Sequence, residues 1–170
     1  AAWGSLVHGL LEHAMRHPRA TRDDLHRLAT WLTVETPDLR AVIPEALDLV
    51  AAVMREPFWA EARGGGHVAV EVPFAVRLDA GAALPGGGAV EVPTVLQGVI
   101  DLVHAHGRGW RLLDYKTDVL DGVPDVDAAL VDRYATQVRQ YRLAWNRVAP
   151  TSGTSAALVA VRSGRVVPVE

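Results

Sequence analysis

The sequence predicts an α/β fold, a mixed central β-sheet of about five strands flanked by helices and preceded by an N-terminal helical segment. Three observations lead there. Apolar residues recur at helical spacing through the first 62 residues, short valine-rich runs bounded by glycine take over from residue 63, and one long helical pattern at 128–148 interrupts those runs before a closing hairpin. The expected organisation is a single domain over 1–170, with a helical part at 1–62 and a sheet core at 63–170.

Trp3, Leu6, Val7, Leu10, Leu11 and Ala14 define an amphipathic first helix that ends near His17-Pro18, where proline disfavours continuation. Thr21-Arg22-Asp23-Asp24 reads as an N-cap with acidic residues in the first turn, opening a second helix through about Val34. Its apolar positions, Leu25, Leu28, Ala29 and Leu32, indicate packing. A third helix is expected from about Leu39 to Arg55, with Pro44 in its early turns and Phe58-Trp59 beyond it. Trp31 and Trp59 read as core or boundary residues, with stacking on unpaired bases as the alternative.

The first strand is expected at His67 to Leu78, with Val68, Val70 and Val72 on one face and Glu71 and Pro73 on the other. Pro73 lacks a ladder donor, which suits an edge or a bulge. Asp79 to Gly88 is rich in turn residues and reads as a flexible hairpin connection. Two apolar runs, Gly98 to Val103 and Arg111 to Lys116, flank a polar segment, His104 to Gly109, that suits a hairpin loop. Thr117 to Asp127 reads as a mobile loop. The helix at 128–148 carries an apolar stripe of Leu130, Tyr134, Val138, Tyr141, Trp145 and Val148. After a loop at Thr151 to Ser155, Ala157 to Val161 and Val166 to Val169 form the closing hairpin.

The length of 170 residues suffices for a real core, and 49% apolar with 22% charged residues is ordinary for a globular protein. No apolar run is long enough to cross a bilayer, and the N-terminus lacks the layout of a secretory signal. Helix-like sequence begins almost at Ala1 with no initiator Met, so the chain is read as part of something longer. A net charge of −3 gives no overall electrostatic attraction to nucleic acid, so local charge or a neighbouring domain has to supply it. Arg133, Arg139, Arg142 and Arg147 make the last helix locally basic, which reads either as a solvated face or as the best electrostatic track for a phosphate backbone. Cysteine is absent, which excludes a disulfide framework.

Chemistry concentrates where Asp101 meets Asp114-Tyr115-Lys116. Side chains alternate across a strand, so Asp114 and Lys116 share a face while Leu113 and Tyr115 take the other; Asp101 is expected on the face of Val99 and Val103. Paired as a hairpin, two carboxylates and one ammonium converge beside an apolar sheet. Such carboxylates must be paired, ligated or protonated, and a divalent cation resolves the conflict. The alternative is solvated strand-end acids with Lys116 as a surface ion-pair partner.

Asp101 followed by Asp114-Tyr115-Lys116-Thr117-Asp118 resembles the core of the PD-(D/E)XK nucleases, and Gly98-Val99-Ile100-Asp101 narrows the resemblance to the RecB/AddA branch. Three further words occur in order: Gly4-Ser5-Leu6-Val7-His8-Gly9-Leu10-Leu11-Glu12, Glu71-Val72-Pro73-Phe74, and Gln137 with Tyr141 one helical turn later. The resemblance implies a restriction-endonuclease-like fold and metal-dependent hydrolysis of DNA. His8, Asp101, Asp114 and the backbone carbonyl of Tyr115 are then the metal ligands, with Glu12 orienting His8. Mg²⁺ is the expected cation, and a histidine ligand makes Mn²⁺ acceptable as well. Glu71 is either an exposed strand residue or a carboxylate at the rim of the metal site. Lys116 either holds the attacking water or neutralises transition-state charge, and Gln137 and Tyr141 bind substrate phosphate or orient Asp114 or Lys116.

Related nucleases that carry an iron–sulfur cluster hold it on four cysteines, so no such cluster is expected here. The resemblance further implies an exonuclease, a covalently linked or associated UvrD-like helicase, a second subunit of the AddB/RecC kind, processing of DNA double-strand ends and a cytoplasmic location without membrane attachment. The competing reading is a nuclease-fold module that binds DNA or serves structure after losing catalysis. The remaining histidines, His13, His17, His26, His67, His104 and His106, read as surface or loop residues.

Overall fold

The computed structural model describes residues 2–149 and 153–170. Ala1, and Thr151 and Ser152 of the expected loop, lie outside the described residues. Helix α1 (Ala2–Arg16) buries Leu6, Val7, Leu10, Leu11, Ala14 and Met15 along one stripe. Helix α2 (Arg22–Leu32) starts with a capping box: Asp24 N–H donates to the Thr21 hydroxyl while the Thr21 N–H donates to the Asp24 carboxylate. It stops short of Val34, where Thr33 turns its hydroxyl back onto the Ala29 carbonyl.

The single helix expected from Leu39 to Arg55 is divided into a 3-10 turn at Pro37–Val42 and helix α3 (Ile43–Val53). Pro44 is the reason. Its ring excludes the carbonyl four residues earlier, so the α-helical ladder restarts with Pro44 in its first turn, where a missing N–H costs nothing. A further short helix, α4 (Pro57–Gly64), follows the same rule with Pro57 at its start and buries Phe58, Trp59 and Ala62.

Five strands, β1 (Val68–Leu78), β2 (Thr94–His106), β3 (Gly109–Lys116), β4 (Ser155–Ala160) and β5 (Arg165–Val169), lie in that order in one mixed sheet. All neighbours pair antiparallel except β3 with β4, which run parallel across the crossover helix α5 (Val126–Val148). Helices α1 to α4 cover one face with Leu102, Leu113, Tyr115, Ala157 and Val159; α5 covers the other with Leu112, Leu158, Val167 and Val169. Every residue of β4 from Ala156 onward is buried, the pattern of a strand covered on both faces. No helix among the described residues is long and apolar enough to cross a membrane.

Three local expectations are corrected. The β2 and β3 strands extend toward each other until only Gly107-Arg108 separates them, a two-residue turn that Gly107 permits at φ 58°. That extension carries His104 into the sheet, where it is fully buried with Nδ1 2.9 Å from the Ala105 carbonyl oxygen, so it is no loop histidine. Val70 and Val72 do not share a face: Val70 packs against the core under α1, Val72 against the core under α5.

Candidate active site

The face switch in β1 has a counterpart in β2. Ile100 joins the core under α5 while Leu102 joins the core under α1, so alternation breaks at Asp101 just as it breaks at Glu71. The β1–β2 ladder pairs Val70 with Leu102 and Val72 with Ile100, and the level between them is the one occupied by Glu71 and Asp101. Glu71 stands at φ +50°, the left-handed region that costs a non-glycine residue free energy and recurs at functional sites. Expecting Asp101 on the face of Val103 assumed an unbroken ladder; the seam turns Asp101 toward His8 instead.

β2 also parts from β3 at this level. Their pairing ends at Leu102 opposite Leu113, and beyond it the Tyr115 N–H donates to Asp101 Oδ2 at 2.7 Å. A side chain thus replaces a ladder carbonyl and opens a wedge between the strands. His8 from α1 enters from above, its Nδ1 3.5 Å from Asp101 Oδ1 and its ring edge-on to Tyr115 at 5.9 Å between centroids. His8, Glu71 and Asp101 each present a ligand atom within 4.8 Å of the others. They line an open cavity of about 460 Å³ with Gly4, Ser5, Gly9 and Glu12. Glu12 itself pairs with Arg16 at 2.9 Å.

Electrostatics follow from crowding. Burial would depress the His8 imidazole, but Asp101, Asp114 and Glu71 outweigh it and raise its pKa. Burial, then repulsion from Asp101 and Glu12, raises Glu71. Asp114, 3% exposed, is pushed up to about 6 by burial and by Asp101, against the pull of Lys116. His8, Glu71 and Asp101 around the cavity form a donor set suited to a hard or borderline divalent cation, while Asp114, expected as a fourth ligand, lies outside that group and is felt by His8 through its charge.

Asp114 and Lys116 do share a face. Lys116 Nζ lies 2.6 Å from Asp114 Oδ2, close in distance but off the hydrogen-bonding angle, and donates to Gln137 Oε1 at 2.9 Å. Gln137 Nε2 donates to the Tyr141 hydroxyl at 2.7 Å, and the Tyr141 ring meets Phe74 edge-on. Gly98 makes room for that contact, since a Cβ there would stand 3.0 Å from the Phe74 ring. Phe74, Gly98, Tyr141, Gln137 and Lys116 therefore form one continuous chain of contacts ending at Asp114.

A model of the PD-(D/E)XK nuclease superfamily matches residues 1–168. The chain belongs to this superfamily. The five-stranded mixed sheet with helices on both faces is consistent with the superfamily's α/β fold. Among curated relatives, an ATP-dependent helicase/nuclease of the AddA kind from Bacillus licheniformis is 30% identical over 81% of this chain, and its counterpart from Geobacillus kaustophilus is 30% identical over 98%. The matched region is 12% and 14% of those two proteins, so this nuclease chain corresponds to a small part of each.

Sequence reasoning missed two residues beside Lys116, namely Tyr134, whose ring centroid lies 4.1 Å from Nζ, and Asp118, which accepts from the Tyr134 hydroxyl. Signals existed. Tyr134 stands one turn before Gln137 on the same helix, and Lys116 is the only lysine in the sequence, all its other basic residues among 17 Lys and Arg being arginine. An ammonium is a compact point charge where a guanidinium is a planar fork, so the lone lysine stands apart chemically from the sixteen arginines. Arg133, Arg139 and Arg147 make surface hydrogen bonds to Asp118, Glu170 and the Arg77 carbonyl, and Arg133 and Arg147 remain exposed. The supposed mobile loop is anchored at Asp118 and again at Asp125, which caps α5 by accepting from Ala128 N–H.

Proposed function

We propose that this chain is a metal-dependent deoxyribonuclease of the AddA type, hydrolysing DNA phosphodiesters from ends. One arrangement supports the reading: His8, Glu71 and Asp101 gathered at the seam, with Asp114 and the sole lysine beside them. Mg²⁺, or Mn²⁺ in its place, would be held by His8, Asp101, Asp114 and the Tyr115 carbonyl, with Glu71 at the rim. Such a cation, when bound, acts as a Lewis acid on the scissile phosphate and lowers the pKa of the attacking water.

The chain's own residues prepare that chemistry. Asp101 is held in place by the Tyr115 N–H, and His8 is braced by the Tyr115 ring. Tyr141 and Gln137 fix the direction in which Lys116 points its ammonium. Lys116 then either orients the attacking water or offsets the negative charge that builds on the phosphate oxygens. We further infer work in the cytoplasm at double-strand ends, attached to an ATP-driven UvrD-like helicase and with a second subunit of the AddB/RecC kind. The relatives combine helicase and nuclease in one name, which supports this.

The test is cleavage by the purified chain. Linear single- or double-stranded DNA should shorten from its ends with Mg²⁺ or Mn²⁺, closed circles should survive, and chelator should stop the reaction. Asp114→Ala and Lys116→Ala should be folded and inactive. Metal-independent cutting, or activity retained in either folded variant, would refute the proposal.

A further inference from the structure

Lys116 is contacted from three sides, and the site described above accounts for two of them. The third is Tyr134, whose ring centroid lies 4.1 Å from Nζ. Its hydroxyl donates to both oxygens of Asp118, at 2.9 and 3.0 Å, and Arg133 donates to Asp118 Oδ1 at 2.6 Å. Asp118 lies just beyond Lys116 in the chain. The segment leaving β3 therefore returns to fix the ring that covers the last charged residue of β3.

Packing does not require this. Tyr134 is half-buried at the margin of the core under α5, where a leucine would complete the apolar stripe. A ring face set on an ammonium and a hydroxyl aimed at a carboxylate are two directional contacts that leucine could not make. The negative face of an aromatic ring attracts a cation, and donation of the hydroxyl to a carboxylate enriches that face further. Asp114 and Gln137 approach Nζ through oxygens, while Tyr134 offers only its face, so the three together restrict an otherwise flexible four-carbon stem.

We propose that Tyr134 is a positioning residue for Lys116, with Asp118 and Arg133 holding the ring in register. The proposal rests on the reading of Lys116 as the catalytic cation of a nuclease. The ring attracts the ammonium while Asp114 and Gln137 hold it from their own sides, so loss of the ring disperses Lys116 without removing any group that touches substrate. The effect belongs to kcat and leaves KM nearly alone.

The single lysine makes the test direct. Carbon-13 lysine incorporated into the full chain yields one side-chain spin system. Ring current from Tyr134 should displace its ε-methylene protons upfield in the wild type and in Tyr134→Phe, and the displacement should vanish in Tyr134→Leu. In parallel, Tyr134→Leu should lose roughly tenfold in kcat with little change in KM, while Tyr134→Phe, which keeps the ring, stays much closer to wild type. An unmoved lysine resonance or an undiminished kcat in folded Tyr134→Leu overturns the proposal. A resonance pattern as expected in a wild-type chain that cuts no DNA would count against the nuclease reading and leave the Tyr134 contact standing.

Discussion

The carboxylate of Asp101 takes the backbone N–H of Tyr115 across 2.7 Å, at the level where β2 and β3 cease to pair. One side chain thereby does two jobs: it satisfies a buried donor that has lost its ladder partner, and it stands among the groups facing the cavity. The substitutions Asp101→Asn and Asp101→Ala separate these. Asn keeps an acceptor oxygen for Tyr115, so chemical denaturation should show little loss. Ala orphans the N–H and should cost about 1–3 kcal/mol. Both should abolish metal-dependent cleavage.

Stability should depend on pH in a direction opposite to ordinary acid denaturation. Asp114 has its pKa raised from 3.8 to about 6, by burial first and Asp101 second. The folded chain thus binds that proton more tightly than the unfolded chain, so the contribution is complete below about pH 4 and is lost as pH rises through about 6. His8, also raised, acts in the same sense: its contribution is present below its ordinary value of 6.5 and is lost as pH climbs past its raised one. With chelator present, Asp114→Asn should match wild type near pH 4 and be the more stable protein at pH 8, by no more than about 3 kcal/mol. Thermal unfolding at the two pH values checks this, and added Mn²⁺ should narrow the gap by stabilising only the wild type.

Glu71 stores strain at φ +50°. Glycine adopts that conformation freely, so Glu71→Gly should gain roughly 1 kcal/mol in denaturant unfolding, where most substitutions lose. Removing the carboxylate also relieves its repulsion with Asp101. The same variant should bind Mn²⁺ more weakly in calorimetry. A stabler protein with a poorer site is the signature of strain held for function.

Gly98 is needed for its missing Cβ. In Gly98→Ala the new methyl would stand 3.0 Å from two Phe74 ring atoms and 3.6 Å from Tyr141. The rings cannot retreat without disturbing Gln137, so a loss of about 1–3 kcal/mol in stability should be accompanied by a fall in kcat. Unfolding and steady-state cleavage measured on the same preparation check both parts.

Much of this is legible in the residues alone. Alternation in β3 puts Asp114 with Lys116 and Leu113 with Tyr115, and the structure keeps both pairs together, because the parallel ladder with β4 continues unbroken through Lys116 after β2 has parted from β3. Helical spacing marks α1 and α5 because the period of 3.6 holds through their uninterrupted turns. The seam is not legible. Period-two reasoning assumes a continuous ladder, and nothing in the residue identity of Glu71 announces a left-handed backbone, so the cross-face placement of Val70 and Val72 and the turn of Asp101 toward His8 escape it. His104 is lost because a polar stretch with glycines looks like a loop even when strands run through it. Asp118 stands within a recognised motif, but its partner Tyr134 lies on a helix beyond the intervening segment, and only folding brings them together.

The break in the ladder between Glu71 and Asp101 exists, on this reading, to seat a cation. Anomalous scattering from a crystal grown with Mn²⁺ tests it most directly. A strong peak is expected within ligand distance of His8, Asp101 and Asp114, with Glu71 at its rim directly or through a water, and absent in Asp101→Asn. A peak lying elsewhere, or the same peak persisting in Asp101→Asn, would contradict it.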